Sequence, residues 1–261
     1  MTDPALEILL MLTAAAFAAG FIDSIAGGGG LITVPALLLA GFSPIASLGT
    51  NKLQSLFGSA SATLTYASKG LVDVRRQWSE ALFSASGAAL GALTASILPP
   101  DLFRAALPFL LVAIGIYFAV KPNLSDKDGV RRMPAIAFLV TFVPLIGFYD
   151  GVFGPGTGSF FMLGFVALAG FGVLRATAHT KLLNFASNLG AFAIFAGAGA
   201  IHWQTGLAMG VAQFLGARLG AHAAIRNGAA LIKPLLVLVC AGLALRLLAD
   251  PANPLRVWAG I

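Results

Sequence analysis

The 261-residue sequence contains one cysteine, three histidines and few charged residues, and each shortage excludes a class of protein. A lone Cys240 forms no intramolecular disulfide and no relay of two thiols, so we expect no cysteine redox chemistry. The histidines have no carboxylate or thiol at ligand spacing, so we expect no metal and no other cofactor. The Gly-Thr-Gly-Ser run at 156–159 resembles a nucleophile turn, but no base is placed beside it, and we therefore expect no enzyme.

Charge is scarce as well, at 10% of residues, whereas apolar residues make up 58% and the mean hydropathy is +0.91. No Lys or Arg precedes Lys52, so the apolar start lacks the cationic region of a cleaved signal peptide and is expected to remain as the first helix. The net charge of +6 comes mainly from cations at the ends of apolar runs, which indicates membrane orientation and no nucleic-acid partner. The composition predicts an integral protein of the lipid bilayer without a separate soluble domain.

Ten apolar runs predict an all-α membrane protein, but two of them are too short to cross. As helices, the runs at 31–42 and 159–172 rise only about 18 and 21 Å, against a hydrocarbon core of about 30 Å. Each follows a glycine cluster, and glycine interrupts helices. We therefore expect these two to be glycine-broken or re-entrant helices near the midplane. The ten runs lie at 5–25, 31–42, 45–67, 81–98, 102–120, 133–149, 159–172, 176–199, 203–223 and 230–249.

The chain divides into two similar halves, 1–125 and 126–261, at a hydrophilic connector that begins at Lys121. Three pairs of positions keep one spacing of 129 residues across the halves: Lys52 and Lys181, Gly87 and Gly216, Gly91 and Gly220. The aspartates before the two glycine clusters, Asp23 and Asp150, are 127 residues apart, which implies a two-residue insertion within 154–159. The register predicts two membrane repeats of about five helical segments each.

Cations in the connectors predict the orientation of the repeats. The connector after the third run holds Lys69, Arg75 and Arg76, and the central one holds four more cations, so both are expected in the cytoplasm. The counterpart of the first connector in the second half, 199–201, has none. Five segments per half then require the two repeats to be inverted, with both termini in the periplasm of a bacterial inner membrane.

A central anion site is the function that these motifs predict. Broken helices expose backbone N–H groups and positive dipole ends near the midplane of inverted-repeat transporters. The helix after each break has one polar face that carries a lysine at the same register, and an intramembrane lysine costs about 2.5 to 3.5 kcal/mol. The predicted substrate-binding residues are Gly28, Gly29, Gly30, Asn51, Lys52, Ser55, Gly156, Thr157, Gly158, Lys181, Asn184 and Asn188.

Other interpretations of these residues stay open from the sequence. The glycines also suit close helix packing, and the lysines also suit snorkelling to the headgroups. Asp23 and Asp150 are candidates for carrying a coupling proton, but they equally suit neutralisation of the lysines or hydrogen bonds to freed backbone groups. His179, two residues before Lys181, is a third proton-coupling candidate.

These motifs together resemble the sulfite exporter TauE/SafE family of membrane permeases. The resemblance is carried by the run from Gly27 to Leu37, the Asn51-Lys52 pair, and the glycine cluster at 154–158 followed by Thr180-Lys181, so it covers both halves. It implies transport of sulfite, sulfonates such as sulfoacetate, or related anions across the inner membrane, often outward. Thr180 stands where the first half has Asn51, so the two half-sites need not bind alike.

The residues themselves lead only to a small anion, because cations and N–H donors recognise charge and oxygen geometry. A negative cell interior assists the exit of an anion by about 2.3 kcal/mol per charge per 100 mV, so we expect export. The two inverted halves predict that transport proceeds by alternating access. A passive anion channel and an uptake permease remain alternatives, and an intramembrane enzyme or a redox assembly factor is a weaker one. The sequence is compatible with a homodimer.

Overall fold

The computed structural model describes residues 5–95, 116, 120 and 125–249, and within them the chain forms nine helices and no strand. The predicted all-α class is confirmed, and nine of the ten apolar runs correspond to helices. The remaining run, 102–120, falls almost entirely outside the described residues. The helices are α1 (Leu6–Ala26), α2 (Gly30–Leu39), α3 (Pro44–Ala67), α4 (Trp78–Thr94), α5 (Ala135–Val152), α6 (Thr157–Ala167), α7 (Val173–Gly197), α8 (Trp203–Asn227) and α9 (Ala229–Ala249).

Charged side chains lie inside this helical assembly, and many large apolar side chains lie on its surface. Lys52 and Lys181 are fully buried, whereas Met11 is 73% exposed and Leu39 is 86% exposed. Exposed apolar side chains around buried charges are unusual in a water-soluble protein and fit a surface that contacts lipid. Two of the described helices, α1 and α5, are both long enough and apolar enough to cross a bilayer on their own.

Two glycine breaks produce the short helices expected from the sequence. Between α1 and α2, Gly27 and Gly28 have φ of 82° and 94°, and between α5 and α6, Gly154 and Gly156 have φ of 83° and 85°. These left-handed angles stop the preceding helix, since only glycine adopts them without strain. With 10 and 11 residues, α2 and α6 rise about 15 and 16 Å and do not span a bilayer.

The two breaks touch each other in the interior of the molecule. A Cβ placed on Gly27 would lie 2.7 Å from the backbone N of Ser159 and 2.9 Å from the Cα of Gly158. The Ser159 hydroxyl also donates to the carbonyl of Ala26. The end of α1 and the start of α6 are therefore in direct backbone contact.

Glycine also permits close packing between helices of different halves. A Cβ on Gly216 of α8 would lie 2.0 Å from the carbonyl O of Phe17 on α1. At the matching position of the other half, a Cβ on Gly87 of α4 would lie 2.3 Å from the carbonyl O of Pro144 on α5. Gly87 and Gly216, which lie outside the glycine clusters, therefore serve close packing between helices.

The connectors collect at two opposite ends of the helices. Arg76 and Arg131, from the two cation-rich connectors, line one cavity together with Arg175 at the start of α7. At the other end, the Thr50 hydroxyl in the first turns of α3 accepts the backbone N–H of His202, next to the start of α8. The connectors that we assigned to the same side of the membrane thus lie together.

Candidate functional site

Two buried ion pairs join the halves of the molecule. Lys52 Nζ on α3 lies 2.9 Å from Asp150 Oδ1 on α5, and Lys181 Nζ on α7 lies 3.1 Å from Asp23 Oδ2 on α1. Both lysine side chains are at most 1% exposed, Asp150 is 5% exposed and Asp23 is 18% exposed. The lysines do not reach a headgroup region, so the snorkelling interpretation is wrong. Neutralisation of each lysine by the aspartate of the other half, one of the alternatives from the sequence, is what the geometry favours.

A pocket lies between these pairs, bounded by both glycine breaks and by the polar faces of α3 and α7. Its free interior is small, about 30 Å³, and with its open mouth the empty space amounts to about 360 Å³. The lining is almost entirely polar groups and glycine backbone. The lining residues are Asp23, Gly28, Gly29, Gly30, Asn51, Ser55, Asp150, Gly154, Gly156, Thr157, Gly158, Asn184, Asn188 and Gln213.

Most of the predicted site residues meet at this pocket. Of the predicted binding residues, all but the two lysines line it, and both candidate aspartates line it as well. The lysines stand directly behind the lining: a Cβ on Gly154 would lie 3.1 Å from Lys52 Nζ, and one on Gly158 would lie 3.4 Å from Lys181 Nζ. Their part in binding a substrate stays a prediction.

His179 does not line this pocket. It lines the second cavity at the connector end of the helices, and its ring packs against the rings of Phe165 and Phe171. The helical period explains the difference: His179 lies two residues before Lys181, and residues two apart face different sides of a helix.

Hydrogen bonds fix the first half of the pocket. The Asn51 side-chain oxygen accepts from the Thr33 hydroxyl at 2.6 Å and from the Gln54 amide at 2.9 Å. The backbone N–H of Gly29 donates to Asp23 Oδ1 at 3.0 Å, which holds the start of α2 against the end of α1. The side-chain oxygen of Asn51 is therefore already hydrogen-bonded within the protein, and only its amide N–H groups remain for a ligand.

The second half of the pocket is less completely bonded. The Thr157 hydroxyl lies 2.8 Å from Asp150 Oδ1 and 2.7 Å from the carbonyl O of Gly154, so the two acceptors share one donor. Among the atoms of the described residues that line the pocket, Asp150 Oδ2, Asn184 Oδ1 and Gln213 Oε1 are buried without a hydrogen-bond partner. Because a buried polar atom without a partner costs about 1 to 3 kcal/mol, these three acceptors mark where water or another hydrogen-bond donor completes the site.

Gln213 is the site residue that the sequence analysis missed. It is 2% exposed in the middle of α8 and lies between Gly20 and Gly58, where a Cβ on either glycine would lie within 3 Å of its side chain. A signal existed, because Gln213 is a polar residue within an apolar run and stands 129 residues after Ser84. Ser84 instead donates to the carbonyl of Leu183 and does not line the pocket, so the two halves of the site differ here.

The described residues contain no group of three His, Cys, Asp or Glu side chains that could hold a metal ion. The pocket instead offers backbone N–H groups, amides, hydroxyls and four paired charges. Such a set suits a small ligand with several oxygen atoms.

Known proteins similar to this chain are membrane transporters. It is 62% identical, over the full length of both chains, to a protein of Sinorhizobium sp named probable membrane transporter protein ORF9. It is 45% identical to the probable membrane transporter protein YfcA of Escherichia coli K12, over 97% of this chain and 95% of that one. A more distant relative, YunE of Bacillus subtilis, is 24% identical over 78% of this chain and 84% of its own. No solved structure matches the chain significantly.

The helical fold and the buried charged pocket, together with these relatives, define a membrane transporter and not an enzyme. The model of one family, described as sulfite exporter TauE/SafE, matches residues 12–247. The chain belongs to this family, as the motifs of the two glycine clusters indicated.

Proposed function

We propose that the chain is an inner-membrane secondary transporter that exports a small sulfur-containing anion, such as sulfite, a sulfonate or sulfoacetate, by alternating access. The observation that carries the proposal is the pocket between the two glycine breaks, with one lysine of each half directly behind its wall. The family description supplies the sulfur chemistry, because the pocket itself selects only for charge and oxygen atoms.

Alternating access requires two halves that can exchange roles, and we propose that the halves are inverted repeats. In support, α3 and α8 run in the same direction, since Leu53 packs on Gly206 and the Ser61 hydroxyl donates to the carbonyl of Phe214. The start of α3 packs on the end of α7, where a Cβ on Gly49 would lie 3.3 Å from the Cβ of Phe195. The equivalent helices α3 and α7 are therefore antiparallel, as an inverted pair requires.

The anion in this proposal sits on the N-terminal ends of α2 and α6. The glycines at the starts of α2 and α6 line the pocket, and such helix ends hold anions through backbone N–H groups that are free, unlike that of Gly29, which donates to Asp23. Lys52 and Lys181 lie behind the glycine walls, each paired with an aspartate of the other half. Asn51 and Asn184 donate amide N–H groups to the oxygen atoms of the anion.

Sulfite and ethanesulfonate flux into proteoliposomes tests the function. We expect the Lys52→Gln/Lys181→Gln variant to lose at least 90% of the flux of both anions. The matched control, Lys69→Gln/Lys127→Gln, makes the same chemical change in two exposed connector residues and should keep it. Monodisperse elution in detergent verifies that both variants fold. Flux unchanged in the first variant would rule out the lysines, and flux of neither anion in the wild type would overturn the function.

A passive channel predicts a different behaviour in the same vesicles. A carrier saturates and catalyses counterflow, so that unlabelled anion inside the vesicle accelerates the uptake of labelled anion. A channel instead gives ionic currents in planar bilayers without counterflow. We expect saturation and counterflow, because the polar atoms behind the pocket wall are buried and the helices α2 and α6 begin at the pocket inside the molecule.

A further inference from the structure

The pocket is electrically neutral before any ligand arrives. The charged side chains that the structure places at it are Lys52, Lys181, Asp23 and Asp150, and each lysine is already paired with an aspartate. An anion added to this set leaves one uncompensated negative charge in a buried site, which is strongly unfavourable. The proposed transport of an anion therefore requires a positive charge that enters with it.

The two aspartates differ in how completely their oxygen atoms are bonded. Asp23 has a partner on each oxygen, with the Gly29 N–H on Oδ1 and Lys181 Nζ on Oδ2. Asp150 has both of its partners, Lys52 Nζ and the Thr157 hydroxyl, at Oδ1. Its Oδ2 is buried and has no donor among the described residues. A proton placed on Oδ2 disturbs no existing contact, whereas a proton on Asp23 displaces a donor.

No other charged group of the described residues faces Asp150 from the helices packed against α5. On α4, Ala88 and Ala92 lie against Gly151 next to Asp150, and the only charged residue of that helix, Glu80, lines the second cavity. α7 also packs on α5, and its Arg175 and His179 line the second cavity too. α6 contributes the neutral Thr157 and contains no charged residue. From α5 itself, the Tyr149 hydroxyl is bonded to the carbonyl of Pro155. Lys52 of α3 is thus the charged partner of Asp150, and the other two charged side chains at the pocket, Lys181 and Asp23, pair with each other.

We infer that each anion is carried together with one proton, held on Asp150 Oδ2, so that the transport of a monoanion moves no net charge. The inference rests on the proposed function. A proton from the water on the side where the anion enters forms an O–H bond at Oδ2, and the same bond breaks to water on the other side. While it is formed, Lys52 has no charged partner and its ammonium attracts the anion, and the new O–H donates to an anion oxygen.

The membrane potential then has no effect on the direction of transport. The anion gradient and the proton gradient set it together, so that each unit of pH difference balances a tenfold gradient of a monoanion. Export down the substrate's own gradient continues as long as the accumulated anion exceeds that ratio.

Binding of ethanesulfonate to the purified protein tests the proton directly. A sulfonate stays monoanionic throughout the pH range used, so any pH dependence belongs to the protein. We expect calorimetry in buffers of different ionisation enthalpy to show one proton taken up per anion. The affinity should weaken about tenfold for each unit of rising pH over the range in which one proton is taken up per anion. Difference infrared spectra on anion addition should show the carbonyl band of a protonated carboxyl group.

Two double variants assign that proton to Asp150. Lys181→Gln/Asp23→Asn and Lys52→Gln/Asp150→Asn each remove one complete ion pair, so both leave the pocket neutral and neither leaves a buried charge unpaired. At anion concentrations that saturate each variant, the first should still take up one proton per bound anion and show the carboxyl band, whatever its affinity, and the second should do neither. If the second took up a proton per bound anion, or if the first bound the anion without a proton, Asp150 would not be the carrier.

Current measurements on a solid-supported membrane separate this inference from the function. We expect ethanesulfonate gradients to drive flux with no transport current, and a pH gradient alone to accelerate that flux. Flux with a current of one charge per anion, or flux that depends on sodium and not on pH, overturns the inference and leaves the transporter function in place. Absence of any flux of sulfite or ethanesulfonate overturns the function, and the inference with it.

Discussion

At the scale of single residues, the site is defined by which buried atoms have partners. Lys181 and Asp23 form a pair in which every charged atom is bonded, whereas Asp150 keeps one free oxygen in the pocket that Asn184 and Gln213 also line. A pair that is completely bonded holds the two halves together, and an incompletely bonded one leaves room for a ligand. The two half-sites thus have different parts in the site despite their similar sequences.

Backbone contact at the glycine breaks gives the first prediction, for Gly27→Ala. At φ 82° an alanine is strained by about 1 to 2 kcal/mol, and its Cβ would in addition lie 2.7 Å from Ser159 N. We expect a cost of about 2 to 5 kcal/mol, because overpacking adds about 1 to 3 kcal/mol to the strain. Thermal unfolding in detergent measures it.

Gly41→Ala is the matched control for this prediction. Gly41 has a similar φ of 89°, but nothing lies within 4 Å of a Cβ placed there. Its substitution should cost only the backbone strain, about 1 to 2 kcal/mol. Equal losses of stability in the two variants would show that the contact between the breaks contributes nothing.

At the scale of secondary structure, the sequence predicted the helices and their breaks well, because local chemistry determines them. α3 begins at Pro44 behind a Ser43 side chain that accepts the Ala46 N–H, and the short α2 and α6 follow glycines with left-handed angles. The polar face of α3, which carries Lys52 and Ser55, follows from the helical period alone.

Contacts between distant elements could not be predicted in the same way. Which aspartate pairs with Lys52 depends on how α3 lies against α5, and a fixed spacing in sequence does not state that. Gln213 enters the pocket because Gly20 and Gly58, on α1 and α3, leave space for its side chain. That His179 lies away from the pocket, in contrast, follows from the helical period and was open to prediction from the sequence.

Carboxylates of the central connector hold the start of α7, and they give the second prediction. Asp128 accepts the Gly172 N–H and pairs with Arg175. Partial burial alone raises the pKa of Asp128, but the hydrogen bond from Gly172 and the Arg175 guanidinium outweigh it and bring the pKa below its ordinary value. A carboxylate with a lowered pKa stabilises the fold above its unfolded pKa of about 3.9, and this contribution is lost as the pH falls through the folded value.

Replacement of Asp128 by Asn should therefore lower the thermal stability at pH 7, by an amount typical of a charge at a helix N-terminus, about 0.3 to 1 kcal/mol. The difference from the wild type should begin to shrink below the unfolded pKa of about 3.9 and vanish only below the lowered pKa of the folded state, where the native carboxyl group is protonated too. Unfolding curves at pH 7 and at a series of acidic pH values measure this change. A difference that stays constant across the series would show that the charge of Asp128 is not the cause.

At the scale of the whole molecule, contacts between the halves come in matched pairs. Gly216 against Phe17 corresponds to Gly87 against Pro144, and the pair of Lys52 with Asp150 corresponds to that of Lys181 with Asp23. In each correspondence, a residue that precedes a glycine break is 127 residues from its equivalent in the other half, and a residue that follows a break is 129 residues from its equivalent. The insertion expected within 154–159 accounts for this difference. Rocking of one half against the other would change both ion pairs together, which is how a neutral loaded pocket could reopen on the opposite side.

The proposed inversion of the two halves leads to the last prediction, which uses the equivalent positions Lys69 and Ala198. Both are exposed in connectors and are 129 residues apart, so parallel repeats would place them on one side of the membrane and inverted repeats on opposite sides. Cysteines are introduced singly at these positions, with Cys240 replaced by serine. In intact cells with the outer membrane permeabilised, a membrane-impermeant maleimide should label Ala198→Cys and should reach Lys69→Cys only after the inner membrane is opened. Lys127→Cys, in the central connector, should behave as Lys69→Cys does, because the cation-rich connectors lie at one end of the helices. Labelling of Lys69→Cys and Ala198→Cys from the same side would exclude inversion, and with it the exchange of roles between halves on which alternating access depends.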